Sequence, residues 1–156
     1  ETGGSLFGKL AQAGAELLIK TLPSIEQGTA VAEKQPEESP TPYAAMITKQ
    51  MGLLDFTKSA ETLERLVRGM NPWPSAYTFV NGKTLKVWKS SVSQETSDAQ
   101  PGTVILTDKA GIHVACKEGV LLLTEVQLEG KKRMDAETFL RGYHMEQGTV
   151  FTDHKE

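Results

Sequence analysis

Residues 75–89 read SAYTFVNGKTLKVWK. Upstream of Ser75 apolar residues recur at helical spacing; from here onward they recur every second residue, the period of a strand with one face on a core. Tyr77, Phe79 and Val80 lead into Asn81-Gly82. That pair is the strongest short hairpin signal, because a two-residue turn needs positive φ at both central positions. Leu85, Val87 and Lys89 then alternate with Lys86 and Trp88. Further on, 102–106 predicts another strand and 108–111 a turn. Ile112, Val114 and Cys116 alternate with His113 and Ala115, and Glu118-Gly119 turns the chain again. Val120, Leu122, Thr124, Val126 and Leu128 are expected to form one face of a last strand. Five short strands with regular turn signals predict a small closed or nearly closed barrel. Asp135 is expected to cap a short helix through Leu140 that Gly142 ends.

Upstream, Ser59 reads as the cap of a helix with Leu63, Leu66, Val67 and Met70 on its buried face and Lys58, Arg65 and Arg68 on the other. Gly69 and Asn71-Pro72 end it. Thr41-Pro42 predicts the start of another short helix, to Gln50, presenting Tyr43, Met46 and Ile47. Residues 24–40, rich in charge and proline, predict a surface connector. The first segment predicts a broadly apolar helix over 5–22, with Ser5 as its cap, Leu6, Phe7, Leu10, Leu17 and Leu18 on its face, and Pro23 as its stop.

Composition narrows the function. The chain has 156 residues, 38% hydrophobic and 24% charged, with a net charge of -3. This is a globular composition, with no apolar run approaching the roughly 20 residues a bilayer requires. One cysteine, Cys116, excludes an intramolecular disulfide and a cysteine-based zinc site. His113, His144 and His154 lack the spacing of a zincin. No metal site and no catalytic residue is expected: His113 reads as a surface histidine, Asp55 as a lone carboxylate, and Gly3-Gly4 lacks the rest of a phosphate loop. Trp73 and Trp88 read as core or interface residues. The absent leader and single cysteine suggest a cytoplasmic chain, and the first residues suggest the C-terminal piece of a longer protein.

The charge is unevenly spread. Residues 58–89 hold Lys58, Arg65, Arg68, Lys83, Lys86 and Lys89 against only Glu61 and Glu64, and Lys131-Lys132-Arg133 forms a second cluster. Brought onto one face, these cations would suit a phosphate backbone; scattered, they would serve only solubility.

Residues 58–74, KSAETLERLVRGMNPWP, strongly resemble the segment joining the two domains of methionyl-tRNA formyltransferases. The likeness extends along nearly the whole chain. ETGGSL at 1–6 resembles the family's D-T-G-x-x-L, with Glu1 for aspartate. Tyr43-Ala44 with Lys49, and Leu54-Asp55-Phe56, resemble Y-A…K and I-D-W. Gly130 to Met134 and Phe139 to Gly142 resemble G-K-K-x-M and F-L-x-G.

The resemblance implies an enzyme that moves a formyl group from 10-formyltetrahydrofolate to methionyl initiator tRNA. Its catalytic Asn, His and Asp would lie in a Rossmann-like α/β domain upstream of Glu1. It implies that 1–40 closes that domain and the linker, that 41–74 joins the domains, and that 75–156 is an OB-like barrel. The expected fold class is thus mostly β with N-terminal helices. It implies tRNA contacts at Lys49, Lys58, Arg65, Arg68, Lys83, Lys86, Lys131, Lys132 and Arg133. A structural role falls to Asn71, Pro72, Trp73 and Pro74, with the Trp73 indole filling the seam between helix and barrel. No cofactor is expected to bind these residues themselves. The 5–22 helix, which covers the catalytic sheet in the family, is expected to self-associate in the absence of that domain. Sugar-nucleotide formyltransferases and the hydrolase domain of 10-formyltetrahydrofolate dehydrogenase are similar in the same region, and a stand-alone OB-like interaction module is the third reading.

Overall fold

The computed structural model describes residues 1–39 and 41–155. Six antiparallel strands form one sheet: β1 (Ala76–Val80), β2 (Lys83–Val92), β3 (Val104–Thr107), β4 (Ile112–Ala115), β5 (Val120–Leu128) and β6 (Met134–Asp135). Their order is β1-β2-β5-β4-β3, with β6 added to β5. The helices are α1 (Gly3–Glu26), α2 (Ala60–Gly69) and α3 (Ala136–Gly142). The turn between β1 and β2 forms as its sequence requires. Asn81 and Gly82 take φ of 49° and 69°, and Val80 pairs with Lys83 across them.

Neither outer edge of the sheet is left open along its length. Residues 149–152 thread between them. Phe79 N–H donates to Thr152 O at 3.2 Å and Thr152 N–H returns to Phe79 O at 3.0 Å. On the other side Val104 N–H donates to Thr149 O at 2.8 Å, and Phe151 N–H to Gly102 O at 2.9 Å. The buried Phe151 ring lies 5.9 Å from that of Phe56. The chain end thus joins β1 to the start of β3, which removes an edge otherwise available for pairing.

Inside lie Leu85, Val87, Val104, Ile112, Val114, Leu121, Leu123 and Val126, each at most 1% exposed. The expected single face of β5 is not what forms. Leu121, Leu123, Val126 and Leu128 are buried, while Leu122 and Thr124 are half-exposed. The register explains the shift. Val87 faces Val126, Lys89 faces Glu125 and Ser90 faces Leu123, so Trp88 on β2 and Thr124 on β5 have no partner residue opposite. Each is a bulge, and a bulge shifts the alternation by one residue.

α2 packs Ala60, Leu63 and Val67 into this core, with Ser59 Oγ accepting the Thr62 N–H at 3.2 Å. α3 is capped by Asp135, as expected, and buries Ala136 and Phe139. α1 begins earlier than its sequence predicts. Thr2 and Ser5 cap it reciprocally, and it runs through Pro23 to Glu26 with no residue buried. Its first turn is held to the rest of the molecule: Gly4 N–H donates to Asn71 O at 2.9 Å. A Cβ on Gly3 would come within 2.4 Å of Gly69 O, and one on Gly4 within 2.6 Å of Pro72 Cδ, so the glycine pair permits this approach. The helix expected over 42–50 does not form. Only a 3-10 turn at Lys49–Gly52 is present, and Tyr43 is 93% exposed. A segment this short needs a surface to pack on; Ile47 lines the groove beside Pro72 and Trp73, while Tyr43 and Met46 stay exposed.

Candidate nucleic-acid interface

The extra residue at the β2 bulge organises a cationic patch. Because Trp88 has no partner on β5, its carbonyl is available to the Asn71 side chain, whose Nδ2 donates to it at 2.9 Å. That bond ties the C-terminal end of α2 to the sheet. The half-buried Trp88 indole donates from Nε1 to Gln127 Oε1 at 3.2 Å, and Gln127 Nε2 donates to Lys131 O at 3.0 Å. The turn that carries Lys131, Lys132 and Arg133 is thereby anchored beside the indole. The Arg133 guanidinium carbon lies over the ring, 4.5 Å from its centroid, and Lys86 Nζ lies 5.9 Å from it. Both distances suit cation–π attraction.

Glu125 holds the patch together. Arg133 Nε donates to its Oε1, and Lys89 Nζ sits 3.0 Å from its Oε2, directly across the strand pair. The hydrogen bond from Arg133, reinforced by Lys89, keeps the Glu125 carboxyl below the usual range, and the same bond raises Arg133 above its own. Lys86, Lys131 and Lys132 are exposed and form no ion pair among the described residues.

The other expected site residues are spread more widely. Arg65 pairs with Glu61 and Arg68 with Glu64, each at 2.6 Å, along the outer side of α2. Arg68 also donates to Glu1 O at 3.3 Å. Lys83 is exposed at the β1–β2 turn, and Lys49 is exposed in the 3-10 turn. Lys58 lies at the opposite end of α2 from Arg68, 3.9 Å from Asp55 and beside Lys117, whose N–H donates to Lys58 O. The structure therefore assembles Lys86, Lys131 and Arg133 and sets Lys58 apart.

Trp73 and Trp88 both depart from the core or interface role expected of them. Trp73 does not fill the seam: it is 59% exposed and lines a shallow groove with Gly3, Gly4, Phe7, Asn71 and Pro72. Asn71 makes the contact to the sheet, and both Asn71-Pro72 and Trp73-Pro74 are cis. Trp88 lies among the cations. The sequence reading set Trp88 down as a core or interface residue and did not single out Gln127 or Glu125; the one signal was Lys86-Val-Trp88-Lys89, an aromatic residue interleaved with cations.

A second polar cluster corrects the reading of His113 as a surface residue. It is 5% exposed, with Nδ1 3.1 Å from Ser93 Oγ and Nε2 3.4 Å from Asp108 Oδ1. The Ser93 oxygen also accepts the Glu95 N–H, and Asp108 Oδ1 accepts those of Ala110 and Gly111. Every member thus has structural work, pinning the chain after β2 to the β3–β4 turn. Cys116 is buried, which pushes its thiol up to about 11. Among the described residues no group of three His, Cys, Asp or Glu side chains could hold a metal, and no helix is long and apolar enough to cross a membrane.

An antiparallel sheet whose two edges are joined by residues 149–152, with α2 pinned to it through Asn71 and an aromatic-cationic patch on its outer face, defines the class of the domain. Residues 46–144 match the family model described as formyl transferase, C-terminal domain, and the chain belongs to that family. A methionyl-tRNA formyltransferase of Agathobacter rectalis is 51% identical over 152 residues, covering 97% of this chain and 49% of that protein. The one from Bacillus subtilis is 47% identical, covering 98% and 48%. The chain spans about half the length of these curated relatives. The fold is also that of part of HypX from Aquifex aeolicus, whose crystal structure in complex with tetrahydrofolic acid matches 89% of this chain and 26% of its own. The TM-score is 0.59 and the identity 17%.

Proposed function

We propose that this chain is the C-terminal half of a methionyl-tRNA formyltransferase, and that it grips initiator tRNA while the other half carries out the transfer. The observation that carries the reading is the patch around Trp88. There Lys86, Lys89 and Arg133 converge beside the Lys131–Lys132 turn, with Glu125 shared by Lys89 and Arg133. The curated relatives named for that activity support it. Contacts of this kind fix the position of a polyanion and do not read its sequence. Arg65 and Arg68 on α2, with Lys83 and Lys49, extend the surface; Lys58 contributes least, being at the far end of α2. The sheet serves as an OB-like barrel in this reading.

The formyl donor, 10-formyltetrahydrofolate, and the Asn, His and Asp that move the proton belong to the half of the relatives that this chain does not span. This chain alone transfers no formyl group. The exposed apolar face of α1, with Phe7, Leu10, Leu17 and Leu18, lies against that half in the complete protein, or against a second copy when the chain is alone. The protein acts in the cytoplasm, where initiator tRNA is charged.

Binding of labelled initiator methionyl-tRNA, followed by anisotropy between about 50 and 200 mM salt, tests the reading. Affinity should fall steeply with salt, by roughly a factor of ten or more over that range. Lys86→Glu and Lys131→Glu should each weaken binding and flatten the salt slope by about one unit. Wild-type protein that fails to bind at 50 mM salt, or variants that bind as well as it does, would overturn the proposal.

A further inference from the structure

Phosphate attraction accounts for the lysines but not for the stack between them. Trp88 and Arg133 are both planar, both lie on the outer side of the β2–β5 pair, and both are fixed before any ligand arrives. The indole is held at Nε1 by Gln127, and the guanidinium at Nε by Glu125, itself held by Lys89. Arg133 lies over the ring at 4.5 Å, and its side chain is 39% exposed. A group so restrained loses little freedom when a third planar group joins it. Guanidinium planes and aromatic faces are the surfaces on which unpaired bases stack. Lys86, Lys131 and Lys132 stand around the pair to meet the phosphates on either side of such a base. The same chain would gain nothing from this arrangement in packing its own core, which lies on the other face of the strands.

We infer that the Trp88–Arg133 pair is a stacking platform for an unpaired nucleobase, flanked by lysines that bind the adjoining phosphates. The inference rests on the tRNA-binding reading and specifies it: this patch takes a single-stranded stretch or an extruded base, where a helical stem would offer only phosphates.

The Trp73→Phe variant leaves Trp88 as the sole indole, whose emission then reports on the platform alone. The probes are an unpaired hexameric RNA, an abasic hexamer with the same number of phosphates, and inorganic polyphosphate. The RNA should quench Trp88 and bind about tenfold more tightly than the abasic strand, the range expected for one stacked base. Arg133→Lys keeps the charge and removes the plane. It should lose most of that preference while the salt slope stays unchanged, whereas Lys86→Met should reduce the slope and keep the preference. Equal binding of the RNA and abasic strands, or binding without quenching, would overturn the platform. If initiator tRNA still binds with a steep salt dependence in that case, the broader reading survives. Quenching by polyphosphate as strong as that by RNA would mark a plain polyanion site and also overturn it.

Discussion

Gly111 takes φ of 147°, and a Cβ there would lie 2.1 Å from Leu123 O on the neighbouring strand. No side chain fits, so Gly111→Ala should destabilise the protein by about 2 kcal/mol or more, measured as a lower urea midpoint at unchanged m-value. That Gly111 ends a turn is legible in the sequence; that β5 runs so close beside it is not, because the approach is made by residues distant in the chain. His113 shows the same limit. Alternation correctly sets it opposite Ile112 and Val114, yet says nothing of the Ser93 segment that covers the outer face of β4 and buries the ring. Trp88 is the sharpest case. Its place among Lys86, Arg133 and Gln127 depends on a bulge, and a bulge is a relation between two strands that neither strand's own pattern displays.

Elements whose stability is local were the legible ones. The Asn81-Gly82 hairpin, the Ser59-capped α2 and the Asp135-capped α3 follow from turn chemistry, capping and amphipathic spacing. Those decided by docking were not. The 42–50 segment has a good helix start but leaves Tyr43 and Met46 exposed, with Ile47 in the groove beside Trp73, and it stays irregular beyond the 3-10 turn. Residues 149–152 are the opposite case: too short to read as a strand although Thr, Val and Phe favour one, they are held by backbone bonds to both sheet edges and by one ring. Phe151→Ala removes that ring from beside Phe56 and should cost roughly 3–5 kcal/mol. Amide exchange gives a more specific signature. The N–H groups of Phe79 and Val104, which donate to this segment, should lose protection more than those at the β1–β2 turn. Uniform loss across the sheet would show that the segment is not a separate clasp.

Across the whole molecule a net charge of -3 coexists with a cationic patch, and acids beside that patch are themselves engaged by cations and backbone donors. Glu129 illustrates this. Its carboxylate accepts the Thr84 N–H and meets Lys155 at 2.9 Å, which ties the chain end to the β5 turn and lowers its pKa to about 2 from 4.5. A depressed folded value means the unfolded chain takes up the proton first. Its stabilisation is therefore complete above about 4.5 and is lost as the pH falls toward 2. Glu129→Gln should flatten the dependence of Tm on pH within that window and leave the slope above pH 5 unchanged. The charge asymmetry itself was legible as Lys58 to Lys89 and Lys131 to Arg133; which of these cations converge was not, since it depends on the strand order that sets β2 beside β5.

The central claim is that the outer side of β2 and β5 is where the tRNA lies. Backbone amide and indole NMR shifts of the chain titrated with initiator methionyl-tRNA test it most directly. The account predicts that the largest changes fall on Lys86, Trp88, Gln127 and residues 131–133, with weaker ones near Asn71 and along the outer side of α2. Changes centred instead on Asp55, Lys58 and Asp153, with the Trp88 indole unmoved at saturation, would contradict it.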